Sequence, residues 1–178
     1  MKSAVEQLAR YKSVHLDPRN IGTHFIGVPL ILWALMLLLA SLDFRLGAEG
    51  HRLSVAMLLT PVVLLYYFRL HWRLALGMTL VFLPLLLSAE WMTQTPHLIA
   101  TASGAFVVGW LFQLLGHRYE QAKPAFLEDL SQLLIGPFFL MAEVYFKCGL
   151  EQSLAQAITP LALARRQALD KAHRQGLS

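Results

Sequence analysis

Hydrophobic residues run along this chain in long blocks rather than in short alternations. Residues 21–42 hold no Lys, Arg, Asp or Glu, and His24 is their only strongly polar side chain. As a helix, a block of that length crosses the roughly 30 Å hydrocarbon core of a bilayer. Three more blocks follow at 53–68, 74–87 and 98–116. The middle two are short and separated only by Arg69-Leu70-His71-Trp72-Arg73, which predicts a helical hairpin. A fifth block, 126–146, contains Glu128, Asp129, Gly136-Pro137 and Glu143. A broken or re-entrant helix docked on the bundle suits it better than a span facing lipid. The last stretch, 152–174, is charged and amphipathic with Pro160 in a first-turn position, a pattern for a surface helix. The reading is therefore all-α: an integral membrane helical bundle with about four transmembrane helices. Residues 1–150 form a single membrane-embedded domain with an amphipathic N-terminal segment, and 151–178 a surface tail. The polar residues 1–19 and the lack of a small-residue cleavage site predict that the first span is retained.

Composition strengthens this picture. Of 178 residues 56% are hydrophobic and only 15% charged, with a mean hydropathy of +0.51, too apolar for an ordinary soluble domain. Cys148 is the sole cysteine, so one copy builds neither an intrachain disulfide nor a thiolate metal site. The net charge of +4 fits loops facing anionic lipid better than nucleic acid. Lys2, Arg10, Lys12 and Arg19 precede the first span, Arg69 and Arg73 lie in the second loop, and Arg118, Lys123, Arg165, Arg166, Lys171 and Arg174 follow the last. The other two loops hold only Arg45 and Arg52. By the positive-inside rule both termini and the second loop are cytoplasmic, which four crossings satisfy.

That orientation gathers His15, His24, His71 and His117 toward the cytoplasmic ends of their segments, with His51 and His97 opposite and His173 in the tail. His24 lies inside an apolar block with Asn20 one turn before it, and an ionisable group there ordinarily faces a partner or a functional cavity. His15 precedes Asp17-Pro18, an N-cap followed by a first-turn proline, and a fold-back brings it near His24. Gln113, His117 and Glu120 recur at i, i+4 and i+7, on one helical stripe. The plainer reading of that stripe is a polar helix exit with a solvated Glu120, and for His71 it is an ordinary interfacial histidine. Imidazole and carboxylate ligands without thiolate suit Fe(II), Zn or Mn. No Gly-x-Ser-x-Gly, P-loop or cysteine motif is present, nor an intramembrane acid pair, so serine hydrolase, ATPase and proton-coupled transporter readings drop out.

Two spaced blocks carry a resemblance: Tyr11-x3-His15-x4-Asn20-x3-His24-x2-Gly27-x-Pro29, and Gly109-Trp110-x2-Gln113-x2-Gly116-His117-x2-Glu120-x3-Pro124-Ala125, with Pro137-x5-Glu143 beyond them. From Tyr11 to Phe146 the chain resembles the 2-hydroxy fatty acid dioxygenase family, which comprises the fungal endoplasmic-reticulum enzyme of phytosphingosine breakdown and bacterial relatives. The resemblance implies an Fe(2+)-dependent α-oxidation, in which dioxygen cleaves a long-chain 2-hydroxy acid between C1 and C2 to leave a fatty acid one carbon shorter. It implies His15, His24 and His117 as iron ligands, with His71 an auxiliary candidate. A 2-hydroxy carboxylate held through two oxygens, with dioxygen in a third position, leaves an octahedral ion about three places for protein ligands. Asn20, Gln113, Glu120 and Glu143 are candidates for orienting the imidazole N–H groups, or as ligands in the case of the carboxylates. Arg19, Arg118 and Lys123 are candidates for pairing with the substrate carboxylate.

The partners expected are membrane lipid, the 2-hydroxy acid and dioxygen, without nucleic acid and with homo-oligomerisation left open. The membrane expected is the bacterial inner membrane, or the endoplasmic reticulum for a eukaryotic chain. Two alternatives stand beside this reading. One is a non-enzymatic membrane module that binds lipid or scaffolds partners; the other is a zinc-dependent membrane hydrolase. Desaturases and hydroxylases of lipids look for paired histidine boxes that this chain lacks.

Overall fold

A computed structural model of the chain describes residues 3–47, 50–120 and 131–176, with only the backbone of residues 46 and 173. The fold is all-α, with one small β-hairpin. The helices are α1 (Ala4–Lys12), α2 (Pro18–Ser41), α3 (Val55–Leu70), α4 (Trp72–Met92), α5 (Leu98–Glu120), α6 (Gln132–Lys147) and α7 (Gln152–Arg174), and strands β1 (Asp43–Leu46) and β2 (His51–Ser54) lie between α2 and α3. They form two compact units, residues 1–24 with 114–178, and residues 25–113.

In the unit of residues 25–113, α3 and α4 form the expected hairpin, which turns on His71 alone; its extended backbone separates the two helices. Tyr67 of α3 is fully buried and meets Phe82 of α4 edge-on at 6.0 Å. Two glycines let α2 and α5 touch, because a β-carbon on Gly27 would lie 2.7 Å from the Gly109 carbonyl oxygen. A β-carbon on Gly104 would meet nothing within 4 Å among the described residues. The indole of Trp33 donates to the Ser88 hydroxyl at 3.0 Å. Arg52 on β2 gathers Asp43, the Glu90 carboxylate at 2.7 Å and the Ala40 carbonyl at 2.6 Å.

Among the described residues three helices, α2, α4 and α5, are long and apolar enough to cross a membrane, with mean hydropathies of 2.1, 1.7 and 1.8. Of the four crossings expected, α3 is the exception in length. Its 16 residues extend about 24 Å, short of the roughly 30 Å hydrocarbon core. Large apolar side chains such as Leu80 (77% exposed) and Leu87 (68%) stand uncovered on α4, as a lipid-facing helix requires.

The other unit holds α1, α6, α7 and the neighbouring ends of α2 and α5. A capping box starts α1: the Ser3 hydroxyl accepts from the Glu6 N–H, and the Glu6 carboxylate accepts from the Ser3 N–H. Both α6 and α7 pack against it. The break expected at Gly136-Pro137 does not occur, since α6 runs through Pro137 as one helix. Pro137 removes a single backbone bond in the second turn, while the turns around it are held by burial of Ile135, Phe138, Phe139 and Ala142. The acidic part of that block, Glu128 and Asp129, lies outside the described residues. A Schellman turn ends α6: Leu150 N–H donates to Tyr145 O at 2.8 Å and Gly149 N–H to Phe146 O at 3.1 Å. The residue between them must be left-handed, and Gly149 has φ 76°. Pro160 is another correction. It is inside α7, not at its start, because Leu154, Ile158 and Ala162 form a buried stripe that keeps the two turns before it helical.

Candidate metal centre

His15, His24 and His117 meet inside the unit of residues 1–24 and 114–178, each with one ring nitrogen within 4.8 Å of the others. Their rings lie edge-on, with centroids 4.6 Å apart for His15 and His24 and 5.2 Å for each of these with His117. Each arrives from a different element: His15 from the turn after α1, His24 from the second turn of α2, and His117 from the last turn of α5.

Two of the imidazoles are oriented by main chain. The Nδ1–H of His15 donates to the Tyr11 carbonyl at 2.7 Å, and the Nδ1–H of His24 donates to the Asn20 carbonyl at 2.9 Å. Because α1 stops at Lys12, the Tyr11 carbonyl has no i+4 main-chain donor; it accepts from the Val14 N–H at 3.3 Å and keeps a lone pair for the imidazole. The Tyr11 ring also stacks on His15, parallel within 2° at 4.0 Å, and its hydroxyl packs where Gly136 leaves out a side chain. Burial pushes the Tyr11 phenol well above its ordinary pKa.

A carbonyl oxygen only accepts, so both Nδ1 atoms carry the ring hydrogen and both Nε2 atoms of the neutral rings present lone pairs. Those Nε2 atoms are 3.1 Å apart. Two lone pairs at that distance repel unless a cation stands between them. A proton is a poor candidate, because burial first, and then the neighbouring His24, hold the pKa of His15 well below the usual histidine value. A metal ion fits. Nitrogens about 2.1 Å from one ion in cis positions are about 3.0 Å apart. The Nδ1 of His117 is buried with no hydrogen-bond partner among the described residues, which leaves its ring unheld on that side.

Glu120 is buried with its side chain only 2% exposed, and among the described residues it bonds to no imidazole. Its Oε2 accepts from the backbone N–H of Leu16 at 3.0 Å and of Asp17 at 2.8 Å, and from Asn20 Nδ2 at 3.1 Å. It closes the turn that carries His15 onto the start of α2. Glu143 is committed elsewhere, paired with Lys12 at 2.7 Å. Asn20 therefore holds His24, but through its backbone rather than its side chain. Gln113 lies in the other unit, against Gly27, with Nε2 buried and unpartnered among the described residues. His71, the α3–α4 hinge, also belongs to that unit and is outside the three-histidine group. Arg19 pairs with Asp17 at 2.8 Å and stacks on Tyr119 at 4.8 Å, Arg118 is exposed, and Lys123 lies outside the described residues.

Two participants, Gly116 and Arg166, stand in the sequence as a motif glycine and a tail cation with no role at the site. Gly116 has no room for a side chain, since a β-carbon there would overlap Asn20 Oδ1 and Thr23 Oγ1. Arg166 of α7 donates from Nη1 to Glu120 Oε1 at 2.8 Å and from Nη2 to the Glu120 carbonyl at 3.1 Å. The Gly116-His117 step hinted at the first; the contact from α7 left no local pattern.

An all-α chain with apolar helices of membrane-crossing length and a cluster of two buried histidines and one half-buried one defines a class of candidate membrane-embedded metalloproteins. Within that class the assignment is specific: a family model described as 2-hydroxy-palmitic acid dioxygenase Mpo1-like matches residues 1–148, and the chain belongs to the Mpo1-like family. It is 32% identical over 146 residues to the 2-hydroxy-palmitic acid dioxygenase MPO1 of Saccharomyces cerevisiae, covering 80% of each chain. No solved structure matches.

Proposed function

We propose that this chain is a non-haem Fe(II) dioxygenase that cleaves long-chain 2-hydroxy fatty acids between C1 and C2, leaving the acid one carbon shorter. The reading draws its substrate class from the family and from the yeast relative's name. The single observation that carries the metal is the 3.1 Å approach of two Nε2 lone pairs whose rings are already tied down by Nδ1. His15, His24 and His117 would hold the ion. Fe(II) bound there would supply the redox chemistry that lets dioxygen attack a hydroxy acid, for which a set of neutral nitrogen donors with open positions is suited.

The remaining work falls to the chain. The carbonyls of Tyr11 and Asn20 fix the imidazole tautomers, Tyr11 holds the plane of His15, and Glu120 closes the turn that presents it. His24 is the seventh residue of α2 and His117 the fourth from the end of α5. An amphiphilic acid whose tail stays in lipid brings its carboxylate and hydroxyl to the depth of such helix ends. In this reading the chain is an integral membrane enzyme with both termini cytoplasmic, and membrane lipid, the hydroxy acid and dioxygen are its partners.

Metal analysis of detergent-purified protein, prepared anaerobically and without a metal-binding tag, tests the proposal. About one iron per chain, with dioxygen consumed on addition of a 2-hydroxy acid, supports it. Zinc in its place moves the reading to hydrolysis, and no metal after Fe(II) reconstitution leaves a non-enzymatic membrane module.

A further inference from the structure

We infer that Arg166, on the C-terminal helix, is a positioning residue for the histidine site and acts through Glu120. The inference rests on the metal reading above and adds a part of the chain to it, because Arg166 lies beyond residues 1–148 that the family model matches.

The chain of contacts is short. His15 is followed directly by Leu16 and Asp17, whose N–H groups both donate to Glu120 Oε2. Asn20, whose carbonyl orients His24, donates its side-chain amide to the same oxygen. Glu120 thus sets the placement of two of the three imidazoles without touching either. Its other oxygen, Oε1, is taken by Arg166 Nη1 at 2.8 Å. A buried carboxylate left without its cation is an uncompensated charge that swings toward water, and that movement loosens the turn it holds. Arg166 grips Glu120 twice, at the carboxylate through Nη1 and at its own backbone carbonyl through Nη2 at 3.1 Å. Only a guanidinium fork spans both acceptors. Asp170, one turn further along α7, accepts from Nε at 3.1 Å and holds the fork in plane. Burial of Leu154, Ile158 and Ala162 seats this helix in its unit.

Cobalt(II) titration of the anaerobically purified full chain tests this, because the visible bands of Co(II) report ligand geometry independently of turnover. Arg166→Ala should weaken Co(II) binding about 10- to 100-fold and shift the bands. Arg166→Lys, which keeps the cation and loses the fork, should recover part of the affinity. Arg165→Ala, with the same loss of charge one residue away, should titrate as the wild type does. Adding Glu120→Gln to Arg166→Ala should weaken binding no further than the worse single variant. An Arg166→Ala protein with wild-type affinity and spectrum overturns the inference while leaving the metal reading in place. A wild-type chain that takes up neither Co(II) nor Fe(II) overturns the metal reading itself, and the inference with it. If Arg166→Ala does not purify as folded protein, Arg166→Lys decides: a weakened, band-shifted site supports the inference and a wild-type site overturns it.

Discussion

Gly116 and Asn20 are packed with no space between them for one more carbon. A β-carbon at 116 would overlap Asn20 Oδ1 and Thr23 Oγ1 and come within 3.2 Å of His24 Nδ1. Gly116→Ala must therefore displace the Asn20 and Thr23 side chains or push α2 off α5 at the histidines. We expect it to cost about 1–3 kcal/mol of stability, as overpacking does, and to weaken metal binding by more than tenfold. Thermal unfolding in detergent and a metal titration measure the two effects. Unchanged metal affinity would show that the histidines do not depend on this contact.

His24→Ala and His117→Ala should each abolish metal uptake and turnover while leaving a folded, detergent-stable protein. His97→Ala should do neither, since His97 is exposed in the turn before α5 and belongs to the other unit. Iron per chain, size-exclusion profile and oxygen consumption are the readouts. Full activity in either of the first two variants removes that residue from the site.

The pair Lys12–Glu143 makes a prediction about stability without chemistry. With side chains 16% and 11% exposed and 2.7 Å between charges, removing either partner alone strands the other. Lys12→Met or Glu143→Leu should each destabilise by about 3 kcal/mol, and the double variant should recover most of the loss. Additive losses in chemical denaturation would count against a coupled pair.

Much of this arrangement is legible in the sequence, and the boundary has physical causes. A histidine inside an apolar block, and a second on a stripe with Gln113 and Glu120, are visible because membrane segments tolerate so few polar groups. The role of Glu120 is not visible. Its helical phase places it near His117, but the N–H groups it binds are far away in sequence, at 16 and 17. Arg166 reads only as one more tail cation, since no periodicity links it to position 120. Pro137 reads as a helix breaker and Pro160 as a first-turn residue, and burial of their neighbours overrides the lost bonds in both cases. The hairpin at Asp43–Leu46 and His51–Ser54 is missed because the ten residues 43–52 between two apolar blocks look like a loop.

Atom balance gives a prediction for the reaction. One dioxygen and a 2-hydroxy acid balance to the shortened acid, carbon dioxide and water without any external reductant. A substrate labelled at C1 should therefore release its label as carbon dioxide with a stoichiometry of about one per dioxygen consumed. Label recovered as formate would mean a two-electron cleavage, with the other two electrons needed to reduce dioxygen to water supplied by an added donor or dioxygen released as hydrogen peroxide, and would exclude this balance.

The tautomers of His15 and His24 are set by peptide oxygens, at Tyr11 and Asn20. No point substitution deletes a peptide oxygen. The wiring of these two rings is consequently immune to the usual route by which a buried polar contact is lost in evolution, and it leaves no trace in a comparison of side chains between relatives. What such a site can lose is the path of its backbone, so drift should erode it at glycines and helix ends before it touches the residues beside the rings.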